Sequence, residues 1–236
     1  MLTRVSVILP PGAINTGQPV EPRPSATVLL VRGAQEWELL LMQRPGGADF
    51  APGAYVFPGG TVHADDHAWP DEIRAAAMRE LFEEVGILLA RSSSRFALDR
   101  DCEAMRSRLA EGLRFSDALK ATGLEPAFDR LVMFARWVTP AALSRRYDAR
   151  FFFARMPAGQ TVKPQAGEVV DWLWLAPGRA LDAPEVTLVY ATRAVLESVA
   201  TGEPVARLIA HARRLDEVPK VEPRMIETES GWVIER

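Results

Sequence analysis

The stretch that most constrains the fold is residues 71–85, which carry the pattern of one amphipathic helix. Its apolar members recur at intervals of four, namely Ile73, Ala77, Leu81 and Val85. On a helix these positions form a single face, which must be buried against another element. Asp71 suits the N-terminus of such a helix, and Gly86 suits a left-handed residue that ends it. The sequence therefore predicts a helix that covers a hydrophobic layer.

Apolar runs on both sides of this helix predict strands. Six segments have strand character: 26–32, 38–43, 54–57, 132–138, 150–156 and 169–175. Helical patterns occupy residues 95–128, which we interpret as an inserted lobe, and residues 184–215, which are interrupted at Gly202 and Pro204. This arrangement favours an α/β fold with a mixed sheet covered by helices, and we expect residues 1–236 to form one domain.

The composition argues against several classes of protein. The net charge of −3 provides no basic excess for binding nucleic acid or a membrane surface. No apolar run reaches the roughly eighteen residues that a transmembrane helix needs. The single cysteine, Cys102, cannot form an internal disulfide. We therefore expect a cytoplasmic protein without nucleic-acid or membrane partners, and a homodimer is compatible with the sequence.

Three carboxylates lie on the polar side of the predicted helix. Glu83 and Glu84 lie about 300° and about 40° around the helix axis from Glu80, so all three point in similar directions. Close carboxylates repel one another unless a counter-charge lies between them. A divalent cation supplies that charge, and oxygen ligands of this kind suit Mg²⁺ or Mn²⁺. The alternative is a solvated acidic face, which is common on helices. A Gly-Gly turn upstream and a Gly-aliphatic pair downstream favour the metal site.

Residues 60–87 resemble the Nudix box, G-x5-E-x7-R-E-U-x-E-E-x-G-U, in which U is aliphatic. The second half of the box, from Arg79 onward, matches at every specified position. The first half is longer by five residues, because eighteen residues separate Gly60 from Arg79. The box glutamate corresponds to Asp71 when counted back from Arg79, or to Asp66 when counted forward from Gly60. A five-residue insertion before the helix accounts for the difference and leaves the identity of this acid open.

The resemblance implies a Nudix α/β/α sandwich with an inserted helical lobe, and a metal-dependent hydrolase of diphosphate linkages. The positions that bind Mg²⁺ or Mn²⁺ in this family correspond to Gly60, Glu80, Glu83 and Glu84. The resemblance makes Glu80, Glu83 and Arg79 the catalytic set, with Arg79 orienting the carboxylates. Which carboxylate accepts a proton stays open. Glu168 resembles a further metal ligand contributed by a downstream loop, although an exposed loop acid is an equal alternative.

A second resemblance covers residues 25–180 and points to the Nudix branch that contains the peroxisomal coenzyme A diphosphatases. It is carried by residues 40–44, 52–60, 137–140 and 145–152. It implies cleavage of coenzyme A or acyl-coenzyme A into 3′,5′-ADP and (acyl-)4′-phosphopantetheine. The residues that we expect to bind substrate are Arg44, Phe57, Gly59, Arg146 and Arg150. Guanidinium groups match phosphate oxygens. A surface pair at residues 145–146 and an ion pair between Arg150 and Asp148 are equal alternatives.

Two other functions stay open. In the first, the same site serves ADP-ribose, a dinucleotide or a nucleoside triphosphate. In the second, the Nudix fold is retained only as a ligand-sensing module, although such modules usually lose the glutamates that this chain keeps. His63 and His67 have the spacing of metal ligands, and we interpret them as a polar rim of the site rather than as a zinc site.

Overall fold

The computed structural model describes residues 4–7, 12–48, 51–229 and 231–236. Its strands are β1 (Arg4–Val7), β2 (Arg23–Gly33), β3 (Trp37–Gln43), β4 (Tyr55–Val56), β5 (Gly59–Thr61), β6 (Ala90–Arg91), β7 (Glu125–Pro126), β8 (Val132–Val138), β9 (Tyr147–Arg155), β10 (Asp171–Leu175), β11 (Lys220–Val221), β12 (Arg224–Thr228) and β13 (Gly231–Glu235). Its helices are α1 (Glu72–Val85), α2 (Asp99–Ala110), α3 (Phe115–Ala121), α4 (Pro177–Asp182), α5 (Tyr190–Val199) and α6 (Val205–Ala212). Short 3₁₀ turns occupy Ala64–Ala68 and Phe128–Arg130. None of the helices in these ranges combines the length and hydropathy needed to cross a bilayer.

A mixed sheet forms the centre of the fold. Its strands follow the order β10-β3-β2-β9-β8-β11, with β4 paired to β3 and β5 paired to β2. The β2–β9 and β8–β11 pairs are parallel, whereas the other pairs in this sheet are antiparallel. Side chains alternate along a strand, so β2 sends Val28 to one face and Leu29 to the other, and both are fully buried. Both faces of the sheet must therefore be covered.

Helices cover these two faces. α1, α2 and α3 pack on the face that holds Val28, where they contribute Leu81 and Phe115 to the core. α4, α5 and α6 pack on the face that holds Leu29, where they contribute Ala180 and Val195. The predicted mixed sheet between helix layers is confirmed. α2 and α3 lie within residues 95–128, and α5 and α6 lie within residues 184–215, while α4 was not predicted.

Helix α1 agrees with its sequence pattern. It begins after Asp71, whose carboxylate accepts a hydrogen bond from the backbone N–H of Arg74 at 3.0 Å. It ends at Gly86, which adopts a left-handed conformation with φ of 75°. Leu81 and Val85 are fully buried against the sheet. The predicted helix over residues 71–85 and its glycine cap are thus confirmed.

The strands at the two ends of the chain were not predicted. β1 pairs with β13, so that Val5 lies opposite Ile234, and β12 completes this separate sheet. β11 extends the central sheet beside β8. These strands are short, and they pair either within a hairpin or with a partner far away in the sequence. Local periodicity therefore carries little signal for them.

Candidate active site

The glycine turn at the start of β5 packs directly on the carboxylate side of α1. The backbone N–H of Gly59 donates a hydrogen bond of 2.8 Å to Oε2 of Glu84. At Gly60, any side chain would collide with the carboxylate of Glu80. A side chain at Gly59 would collide with the backbone carbonyl of Ala26. Gly59 is therefore required by its close approach to the backbone, whereas a side chain at Gly60 would displace the carboxylate of Glu80. The amide of Gly59, which we expected to bind substrate, is bonded to Glu84.

Arg79 organises the carboxylates from within the fold, with its side chain only 4% exposed. Its Nη1 donates to Oε1 of Glu80 at 2.9 Å and to Oε2 of Glu83 at 2.8 Å. Its Nε donates to Asp66, and its Nη2 donates to Asp66 and to the backbone carbonyl of Thr61. Each of the five N–H donors of the guanidinium group is thus engaged. The orienting role expected of Arg79 fits this geometry.

The structure distinguishes the two candidates for the box acid. Asp66 is fully buried, and its two oxygens each lie 3.0 Å from a nitrogen of Arg79. The same carboxylate accepts a hydrogen bond from the backbone N–H of His63. Asp71 instead caps α1 and forms an ion pair with Arg74. Asp66, counted forward from Gly60, therefore takes the place of the box glutamate, and the five extra residues lie between Asp66 and α1.

Burial and mutual repulsion shape the charge state of the site. Burial raises the pKa of Glu84 well above its ordinary value, and the nearby charge of Glu80 raises it further. Burial also raises the pKa of Glu80, although the adjacent guanidinium of Arg79 opposes this shift. Two desolvated carboxylates that repel each other are stabilised in their charged form by a further cation. A positive charge beside Glu84 would therefore stabilise the ionised form of both carboxylates.

The chemistry of these donors fits a hard divalent cation. Among the described residues, Glu80, Glu83 and Glu84 are each held through one oxygen, by Arg79 or by Gly59. The second oxygen of each carboxylate is not used by these contacts. In the part of the chain that the structure describes, no three His, Cys, Asp or Glu side chains are already gathered as a metal cage. The carboxylates are instead spread around Arg79, and a cation would bind on their other side.

Two loops bring further charges to Glu84. Arg44 follows β3 and is close enough for its charge to oppose the rise in the pKa of Glu84, and Glu168 is close enough to add to that rise. The backbone N–H of Gln165 donates to the carbonyl of Glu84 at 3.0 Å, and the side chain of Gln165 donates to Glu168. Glu168 is exposed. The structure therefore brings Arg44 and Glu168 to the border of the glutamate cluster.

Two predicted substrate residues are used by the fold instead. Phe57 is 3% exposed and packs edge to face against Phe151 on the face of the sheet opposite α1, so it has no free ring face for a substrate. The guanidinium of Arg146 donates to the carbonyls of Thr139 and Val20 and binds Glu222 at 2.6 Å. Both side chains thus have partners within the fold, and the substrate-binding role expected of them stays a prediction. Arg146 is not part of a surface pair either, because it is 8% exposed.

Arg150 occupies a different environment. It lies 3.4 Å from Asp148, which agrees with the ion pair considered from the sequence, but Asp148 binds Arg136 more closely, at 2.7 Å. Among the described residues, Nη1 of Arg150 is a buried side-chain nitrogen without a hydrogen-bond partner. An unsatisfied buried donor is costly, so this nitrogen is available to bind a water molecule or a ligand oxygen.

His67 and Cys102 both have structural partners. His67 lies 2.7 Å from Glu72, and both side chains are well exposed. Cys102 is buried beside Gln160, and burial raises the pKa of its thiol to about 11. Neither arrangement resembles a zinc site or an activated nucleophile, because a reactive thiol needs a lowered pKa.

Sequence reasoning missed the contact between Tyr55 and Asp171. The Tyr55 hydroxyl donates to Oδ2 of Asp171 at 2.7 Å, across 116 positions of sequence. Tyr55 is 5% exposed, and burial followed by the hydrogen bond to Asp171 raises its pKa to about 12. The sequence signal was a polar aromatic residue beside the glycine turn, but nothing local indicates its partner.

A mixed sheet between two helix layers, with a glycine turn packed on a helix that carries three glutamates, defines the class of this protein as a Nudix domain. Residues 67–191, just over half of the chain, match the protein-family model described as the NUDT19 Nudix domain, and the chain belongs to this family.

Similarity to individual proteins agrees with this assignment. Human acyl-coenzyme A diphosphatase NUDT19 is 26% identical over 213 residues, which cover 64% of this chain and 56% of the human protein. Putative nudix hydrolase 7 of Caenorhabditis elegans is 27% identical over 159 residues, which cover 67% of this chain and 53% of that protein. The chain thus spans about half the length of the curated relatives that it matches.

A solved structure shows the same fold. The crystal structure of a NUDIX hydrolase from Alicyclobacillus acidocaldarius superposes with a TM-score of 0.68 at 26% sequence identity. The superposition covers 80% of this chain and 96% of the other.

Proposed function

We propose that this protein hydrolyses a diphosphate linkage with the help of Mg²⁺ or Mn²⁺ bound at Glu80, Glu83, Glu84 and the carbonyl of Gly60. The observation that carries the proposal is the way the three glutamates are held. Arg79 fixes one oxygen of Glu80 and one of Glu83, and the amide of Gly59 fixes one oxygen of Glu84, so these contacts leave the second oxygen of each carboxylate for a cation. A bound cation supplies charge that neutralises the diphosphate and activates water.

The residues of the chain have separate roles in this reaction. Arg79 keeps Glu80 and Glu83 in place, since positioning is what phosphoryl substitution mainly requires. Glu83, with its side chain 37% exposed against 12% for Glu80, is the most open to water of the three glutamates on α1. We assign it as the acceptor of the proton from the attacking water. The charge of Arg44 acts on Glu84, which supports a role for Arg44 in pairing with a phosphate oxygen there.

We further propose that the substrate is coenzyme A or acyl-coenzyme A, cleaved to 3′,5′-ADP and (acyl-)4′-phosphopantetheine. The human, chicken and Xenopus laevis relatives are named acyl-coenzyme A diphosphatases. Coenzyme A carries a 3′-phosphate in addition to its diphosphate, so its recognition benefits from a second anion-binding group away from the metal-binding glutamates.

Arg150 is the candidate for that second group. Gly60, Ala26 and Arg150 lie opposite one another on three adjacent strands, β5, β2 and β9. Directly opposed residues point to the same face of a sheet, and at Gly60 that face meets Glu80. Arg150 thus stands about 10 Å from the glycine turn, two strand spacings away, with only the small side chain of Ala26 between them. Its unpartnered Nη1 supports a role in binding the 3′-phosphate.

Product analysis tests the proposal. The purified protein is incubated with coenzyme A, acyl-coenzyme A, ADP-ribose, a dinucleotide and a nucleoside triphosphate, each with Mg²⁺, with Mn²⁺ or with EDTA. We expect metal-dependent release of 3′,5′-ADP from the coenzyme A substrates. The double variant Glu83→Gln/Glu84→Gln should abolish it, while Glu72→Gln, an exposed acid at the other end of α1, should retain it.

The possible outcomes separate the alternatives. Cleavage of ADP-ribose or a triphosphate, without cleavage of coenzyme A, would support the proposed hydrolase activity but reject coenzyme A as its substrate. Absence of metal-dependent hydrolysis of every compound would reject the enzyme and support a ligand-sensing module.

A further inference from the structure

The contact between Tyr55 and Asp171 lies on the opposite face of the sheet from the glutamates. Asp171, Gln43 and Tyr55 are opposite one another on β10, β3 and β4. Tyr55 belongs to the core on the α5 side, and its hydroxyl reaches across β3 to Asp171. The bond therefore joins the two strands that flank the end of β3.

The two charges that border Glu84 lie next to these strands, Arg44 at the end of β3 and Glu168 in the loop before β10. Arg44 directly follows Gln43, and its backbone N–H donates to the carbonyl of Ala54, next to Tyr55. Because side chains alternate along an extended chain, Arg44 points away from Gln43 and towards the α1 face. Glu168 lies in the loop just before Asp171, and this loop is tied to β3 by a hydrogen bond from the N–H of Val170 to the carbonyl of Gln43.

We infer that the hydrogen bond between Tyr55 and Asp171 positions Arg44 and Glu168 around the Glu84 carboxylate, so that Tyr55 acts on substrate through Arg44 without touching it. This inference rests on the proposed role of Arg44 in binding the diphosphate. The position of Tyr55 is well fixed, because its side chain is almost fully buried and its backbone N–H donates to the carbonyl of Thr187 at 2.8 Å.

A double-mutant cycle tests the inference on the full chain. The binding probe is α,β-methylene-ADP with Mg²⁺, measured by titration calorimetry, because this compound presents an uncleavable diphosphate. Tyr55→Phe removes only the hydroxyl and should weaken binding about tenfold, the size expected when a displaced Arg44 loses its hydrogen bond to a charged phosphate. In an Arg44→Ala background the same change should cause no further loss. Tyr190→Phe is the matched control, since Tyr190 is a half-buried tyrosine on α5 that packs against Trp137. It should leave binding unchanged.

The melting temperature distinguishes positioning from simple stability. Tyr55→Phe should lower it equally in the wild-type and Arg44→Ala backgrounds, while its effect on binding appears only in the first. Asp171→Asn keeps an acceptor for the Tyr55 hydroxyl and should retain binding, whereas Asp171→Leu should not.

Equal losses of binding in both backgrounds, or no loss in either, would overturn the inference. Because the probe is not cleaved, the cycle gives its answer even if no compound is hydrolysed. A failure of the protein to hydrolyse any compound would reject the proposed reaction and would leave this inference standing.

Discussion

Asp66 offers the sharpest test of how the carboxylate cluster is built. Asp66→Asn replaces one charged oxygen with an N–H group in a fully buried bidentate ion pair with Arg79. The new amide nitrogen faces a guanidinium nitrogen of Arg79 at either oxygen position, and at the Oδ2 position it also faces the backbone N–H of His63, so donors meet donors. The substitution therefore removes one charge and also places donors against donors.

The expected cost follows from what Arg79 retains. Breaking a buried ion pair typically costs about 3–5 kcal/mol, because the remaining charge is left without compensation. Arg79 still binds Glu80 and Glu83, so we expect the lower end, about 3 kcal/mol. For a chain of this size each kcal/mol lowers the melting temperature by roughly 2–4 °C, which gives a decrease of about 6–12 °C.

The adjacent acid provides the control. Asp65 is partly exposed and lies 3.7 Å from Arg114, so Asp65→Asn should change the free energy of unfolding by less than about 0.5 kcal/mol. Urea unfolding followed by circular dichroism measures both variants, and hydrolysis of the preferred substrate is measured in parallel. If Asp66→Asn is as stable and as active as Asp65→Asn, then Asp66 does not support Arg79 and the assignment of the box acid fails.

Three further outcomes are expected. Gly60→Ala should lower kcat/KM on the order of 100-fold, because the new methyl group displaces the Glu80 carboxylate. Gly47→Ala, whose methyl group meets open space, should leave kcat/KM unchanged, and equal rates for the two variants would refute the close packing at Gly60. Arg150→Met should weaken coenzyme A more than dephospho-coenzyme A in comparative KM measurements, and an equal effect on both would reject the 3′-phosphate site. Since burial raises the pKa of Cys102 to about 11 from 9.0, alkylation of the native protein should be slow at pH 8 and accelerate towards pH 11. Rapid labelling of the folded protein at pH 8 would contradict this burial.

Structural features that depend on local sequence patterns were predictable from the sequence. The bounds of α1 follow from the spacing of apolar residues and from its two caps, and both are observed. The convergence of Glu80 and Glu84 on the glycine turn follows from helix geometry and from the spacing of the box. In each case the partners are neighbours along the chain or belong to one motif.

Features that depend on distant partners were not predictable. Arg146 has the same local appearance as a phosphate-binding arginine, but its partner Glu222 lies 76 residues away. Phe57 is adjacent to the site in sequence, yet the alternation of the strand turns its ring to the other face of the sheet. The choice between Asp66 and Asp71 needed the position of the insertion, which spacing alone does not reveal.

The five donors of Arg79 link the stability of the domain to its chemistry. The planar guanidinium group holds Asp66 on one side and Glu80 and Glu83 on the other. A lysine carries its three donors on one nitrogen and could not bind all three carboxylates in this way. The extra residues lie beyond Asp66, outside this ring of contacts. A change in the length of the chain between Asp66 and α1 would therefore leave the contacts of Arg79 with Asp66, Glu80 and Glu83 in place, whereas one residue added between Gly60 and Asp66 would disturb them.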